Sequence, residues 1–175
     1  MDFQFKGKAQ AKTDLFPDQR VTRLPVEGTV AFGNLREDDH LYRGLQDGEW
    51  ARVFPSAFEI TPQAVKRGQD RYQIYCSPCH GIKGDGKGMI AERAKSVPVF
   101  GWNPPADLLQ DYVTTQPHGQ LFNTIGHGKG GMMGYAAQLP ETDRWAIVLY
   151  VRALQRSENA TTADVPPEDA RKIIH

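Results

Sequence analysis

Apolar positions fall at helical spacing in separate stretches of this chain, with long aperiodic tracts between them. From 61 to 75, Val65, Gly68, Tyr72 and Tyr75 recur three or four apart on one face, the pattern of an amphipathic helix. Thr61-Pro62 gives it a start, with Thr as cap and Pro at the first helical position. Gly68 is unfavourable inside a helix by about 1 kcal/mol against Ala, which is tolerable where a second helix must approach closely. Another helix begins at Pro140, with Glu141 and Asp143 in its first turn and Arg152 and Arg156 near its end, charges that suit the helix dipole. Trp145, Val148, Leu149 and Arg152 trace one face and Ile147, Val151 and Leu154 adjoining ones. This helix is therefore apolar on most sides and should be buried, its aromatics packing where Gly68 leaves room. Shorter helices are expected over 117–125 and 89–94, where Met89 reads as ordinary packing. Residues 81–88 hold four glycines in eight and 126–131 are similarly rich, so both should be irregular. The fold class is all-α.

The remaining composition divides the chain. Residues 1–60 combine Pro17, Pro25 and Pro55 with repeated glycines and scattered aromatics (Phe3, Phe5, Phe16, Phe32, Trp50, Phe54, Phe58). They read as an extended, largely irregular N-terminal arm suited to a partner surface; the competing reading is a wrap around the chain's own domain. A helical domain follows over 61–157 and a tail over 158–175. The runs Arg36-Glu37-Asp38-Asp39 and 158–169 read as solvated surface. Apolar residues are only 39 % of the chain and Gly and Pro are abundant, a composition that often organises around a metal or cofactor rather than side chains alone. Lys plus Arg equals Asp plus Glu at 21 each, which gives no support to nucleic-acid binding. No apolar run approaches the roughly 18 residues that cross a bilayer, and residues 1–12 are too polar for a secretory signal.

Both cysteines lie in Cys76-Ser77-Pro78-Cys79-His80, the attachment signature of a c-type haem. Two thiols separated by two residues span the two vinyl groups, and the following His80 lies beneath the ring with its imidazole facing iron. A thioredoxin-like redox pair would want a strand leading into the first cysteine. A structural zinc site would want four ligands at paired spacings, whereas His118 and His127 are nine apart. An iron-bound histidine needs an acceptor for its far ring nitrogen. The proline tract after Phe100-Gly101-Trp102 suggests the Pro104 carbonyl, with Asn103 or Pro105 as substitutes. Candidates for the sixth ligand are Met89, Met132, Met133, His118 and His127. His127 reads best as a solvent-facing loop residue, and His40 and His175 lie outside the domain.

These residues resemble a class I cytochrome c domain over about 61–157. The resemblance rests on the cysteine–histidine motif, Gly68 with Tyr72, Pro104-Pro105-Ala106-Asp107-Leu108, Met132, and Arg144-Trp145-Ala146-Ile147-Val148-Leu149-Tyr150-Val151. It implies a few helices around one covalent haem c, held by Cys76 and Cys79 with iron ligated by His80 and Met132. The family places its methionine three residues before an aromatic, and Tyr135 therefore selects Met132; Met133 stands where a proline is usual. Arg23-Leu24-Pro25-Val26-Glu27-Gly28-Thr29-Val30-Ala31, with residues 144–155, also resembles the mono-haem cytochrome c subunit of bacterial alternative complex III. That resemblance implies an electron carrier rather than an enzyme. Its partners would be other haem-containing subunits and a terminal oxidase or soluble cytochrome. It implies placement on the periplasmic side of the bacterial inner membrane, attached through partners, with a leader removed. A diffusible carrier, or a cytochrome subunit of another dehydrogenase or oxidase, is the alternative. Iron with both axial positions filled is closed to substrate, and a peroxidase would need a second haem motif.

Overall fold

The computed structural model describes residues 4–97, 103–161, 164, 165 and 169. The chain forms two compact units, Met1–Arg36 and Glu37–His175. In the first, turns and one isolated bridge between Lys12 and Arg20 organise the backbone. Arg23 pairs with Asp18 at 2.6 Å and lies 4.1 Å above the Phe16 ring. Phe5, Leu15, Leu24 and Phe32 are exposed; Phe3 lies outside the described residues.

The second unit begins with helix α1 (Asp39–Arg43) and a hairpin of β1 (Leu45–Gln46) and β2 (Glu49–Trp50). Helices α2 (Pro62–Tyr75), α3 (Ser77–His80), α4 (Met89–Ser96), α5 (Asp111–Thr114) and α6 (His118–His127) follow. A second hairpin, β3 (Gly128–Lys129) with β4 (Met132–Met133), leads to the long α7 (Glu141–Glu158). None of these described helices is long and apolar enough to cross a membrane.

The helix signals in the sequence hold. Thr61 Oγ1 accepts from Ala64 N at 3.1 Å, capping α2. Helix α7 buries Trp145, Ile147, Val148 and Val151. It crosses α2 at Gly68, where a Cβ would collide with the Ala146 carbonyl, so side-chain absence sets how closely the helices pack. Tyr72 and Tyr150 flank the crossing with ring centroids 5.3 Å apart. Arg67 donates through Nε and Nη2 to the two Asp143 oxygens, both at 2.8 Å, a forked pair that fixes rotation as well as distance.

Three expectations need correction. The arm expected over 1–60 is not one body, because residues 37–60 pack on the helices. Trp145 Nε1 donates to Leu41 O at 2.9 Å. Gly119 N donates to Ala51 O at 2.9 Å, and Ala51 N to Gly44 O at 3.0 Å. A Cβ at Gly119 would meet the Gly44 carbonyl, so two glycines let these backbones touch. Phe54 then lies 5.9 Å from Trp145, edge to face. The acidic run at 36–39 is exposed as expected, and within it Asp38 Oδ1 accepts from Leu41 N at 3.0 Å and caps α1. His40 belongs to this unit, 2.9 Å from Val53 O. The glycine-rich tract expected to be irregular over 126–131 contains β3, which pairs with β4 around a Gly130-Gly131 turn. Gly130 has φ +58°, a conformation in which a side chain would be strained. Phe100, Gly101, Trp102, His175 and much of the expected tail lie outside the described residues.

Candidate haem site

Helix α2 ends into the two-cysteine motif, which folds as one further helical turn. Cys79 N and His80 N both donate to Cys76 O, at 3.1 and 2.8 Å. Residues three apart on a helix share a face, and both cysteines are free and line one cavity together with His80. A helix, not a strand, leads into Cys76, contrary to what a thioredoxin-like pair requires. No group of three or more His, Cys, Asp or Glu among the described residues could hold a metal ion.

The cavity measures about 570 Å³, within the roughly 300–1,000 Å³ of cofactor sites. Leu108, Val113, Leu121, Ile125, Ile147, Val148 and Val151 give it apolar walls. Tyr75 and Tyr135 also line it, their rings T-shaped at 6.0 Å. Burial, with Cys79 nearby as a smaller cause, pushes the Cys76 thiol up to about 12. Burial also holds the His80 imidazole below its ordinary value, opposed by its bond to Ala106. The neutral ring donates from Nδ1 to Ala106 O at 2.9 Å, which leaves Nε2 with its lone pair free to bind a metal. An apolar cavity with two free cysteines and one oriented imidazole fits a haem held through them.

The acceptor for His80 is Ala106, not Pro104, Asn103 or Pro105. Leu108 N donates to Gly84 O at 2.7 Å, pinning the proline tract across the site. The Pro105 carbonyl is turned to Gly86, 3.0 Å from where a Cβ would stand. The next carbonyl, that of Ala106, is the one that faces His80. Tyr72 also does more than pack: its hydroxyl donates to Gly81 O at 2.8 Å, steadying the turn beyond His80. Its place on the α2 face was visible in the sequence, but that bond was not.

Met132 and Met133 both line the cavity. They are successive strand residues that differ in exposure: Met132 is half-buried and Met133 is 82 % exposed. Tyr135 N donates to Ile125 O at 2.9 Å and Ala136 N to Gly126 O at 3.2 Å, tying this segment to the end of α6. Met89 is exposed. His127 is exposed beside Asn123 O. His118 packs on Phe54 and accepts from Arg152. None of these three is among the residues lining the cavity.

A helical unit closed by the α2–α7 crossing, around an apolar cavity presenting two cysteines and a histidine, defines a class I cytochrome c domain. The chain belongs to the family described as cytochrome C oxidase, cbb3-type, subunit III, whose model matches residues 63–151. Membership means that this domain binds haem c and serves electron transfer. No curated protein matches the chain. A chain of the Kuenenia stuttgartiensis reducing HAO-like protein complex is similar at 22 % identity with a TM-score of 0.43. The match covers 55 % of this chain and 46 % of that one, so it spans about half of that protein's length.

Proposed function

We propose that this protein is a mono-haem electron carrier, a subunit of a membrane respiratory complex of the alternative complex III kind. The observation that carries the reading is that one cavity gathers Cys76, Cys79, His80 and Met132. Cys76 and Cys79 would hold the haem by thioethers; His80, aimed by Ala106, and Met132 would be its axial ligands. The bound haem supplies one reversibly exchanged electron, at a potential that methionine ligation raises relative to a second histidine. The chain's part is to orient His80, offer sulfur from β4 and exclude water with the apolar wall. With His80 and Met132 both committed to holding the haem iron, the protein would be a carrier rather than an enzyme.

The placement is the periplasmic face of the bacterial inner membrane, where haem is joined to thiols, with attachment through partners. The exposed apolar side chains of residues 4–36 support a subunit over a diffusible carrier, since an isolated protein gains nothing by presenting Phe5 and Phe32 to water. A second reading, a cytochrome subunit of an oxidase, is favoured by the family's description.

The test is intact mass and co-purification of exported, matured protein. The account expects one haem mass, lost in the Cys76→Ser/Cys79→Ser double variant, and co-migration with other haem subunits and quinol-oxidising activity in detergent extract. Co-migration with an oxidase instead selects the second reading. A haem-free polypeptide overturns the carrier reading, and a free monomer in the soluble fraction overturns the subunit reading.

A further inference from the structure

Apart from the haem cavity, the helical unit carries a second cavity of about 640 Å³ between α7, the 114–118 segment and the loop at Arg52. Its lining includes three arginines, 52, 152 and 156, and no aspartate or glutamate. Arg156 pairs with Asp164. Arg152 is held over the floor by neutral acceptors: Nε donates to His118 Nδ1 at 3.1 Å, Nη1 to Thr114 O at 3.0 Å and to Gln155 Oε1 at 2.7 Å, and Nη2 to Gln116 O. A guanidinium has five N–H groups, so these four bonds leave one donor on Nη2. Because His118 Nδ1 accepts, its proton sits on Nε2, which adds a second donor. Exposed Arg52 adds a guanidinium for which the structure shows no acceptor among the described residues.

A half-buried cation solvated by dipoles alone leaves a positive field that an opposite charge relieves. Burial lowers the affinity of both Arg152 and His118 for protons, with Arg152 a smaller cause at His118, so His118 stays neutral at physiological pH and continues to accept from Arg152. The depression is open and lined by more than one cation, which suits several carboxylates on one chain.

We propose that this groove binds an acidic polypeptide segment of a partner protein, with carboxylates paired to Arg52 at the rim and facing Arg152 at the floor. The inference is independent of which complex the protein joins, since it uses no residue assigned to holding haem.

The experiment titrates the oxidised, haem-loaded protein with a hexaglutamate peptide, using free succinate as a parallel arm, and reads calorimetry and arginine Nε–H chemical shifts. Expected are saturable peptide binding that weakens with salt, shifts at Arg52 and Arg152, and a much weaker response to succinate. Arg52→Glu should weaken peptide binding roughly tenfold or more with the haem spectrum unchanged, and Arg52→Lys should restore most of it. Unaltered binding in Arg52→Glu, or shifts confined to arginines outside the groove, overturns the proposal. Equal binding of succinate reassigns the groove to small dicarboxylates and equally overturns a polypeptide partner.

Discussion

Residues 4–36 and residues 37–60 are built from the same materials, aromatics set among prolines and glycines, and they fold differently. In the later stretch, Phe54 and Phe58 stack at 5.7 Å and pack against the core with Leu41. In the earlier one, Phe5, Leu24 and Phe32 face solvent. The later stretch meets a prepared surface: Gly119 admits the Gly44 backbone, and the Trp145 indole needs the acceptor that Leu41 supplies. Aromatic content therefore does not decide whether a segment folds inward. Backbone clearance and a waiting donor do.

The comparison breaks most decisively under truncation. Removing 1–36 should leave the haem spectrum and melting temperature of the matured protein unchanged. Removing 1–60 strips Leu41, Phe54 and Phe58 from the core at about 1.5–3 kcal/mol each, a loss on the order of 5 kcal/mol measurable by denaturant melts. If both truncations behave alike, the distinction is wrong. Gly119→Ala sharpens it at one atom. Its new methyl meets backbone rather than a yielding side chain, and the expected cost is about 2 kcal/mol.

A smaller effect is pH-dependent. His118 packs on Phe54 at 4.6 Å, and burial, with Arg152 second, pushes its proton affinity down from 6.5 to about 4. The unfolded chain then binds a proton that the folded one refuses. The contribution is intact above pH 6.5 and is lost progressively as pH falls toward 4. Denaturant melts across that window should show the slope, and His118→Gln should flatten it. The smallest effect belongs to Phe32→Ser, which should leave stability within about 0.5 kcal/mol yet reduce co-purification with partner subunits.

The parts of the molecule governed by local rules were legible beforehand. The Thr61-Pro62 start, the charges at both ends of α7 and the bare flank at Gly68 all act within a turn or two of chain, as does the motif from Cys76 to His80. The parts that escaped depend on distant contacts. Which carbonyl serves His80 is set by Leu108 anchoring to Gly84, a pairing no periodicity shows. Arg152 looked like a charge complementing a helix end, but it folds over Thr114, Gln116 and His118. The β3–β4 hairpin is too short to alternate visibly, and it carries Met132, the proposed sixth ligand.

The oxidised protein's far-red absorption, where sulfur bound to haem iron gives a band, tests that ligation most directly. The band should appear in the unaltered protein and in Met133→Leu, and be lost in Met132→Leu with the covalent haem retained. A band that survives in Met132→Leu, or never appears, would contradict that ligation.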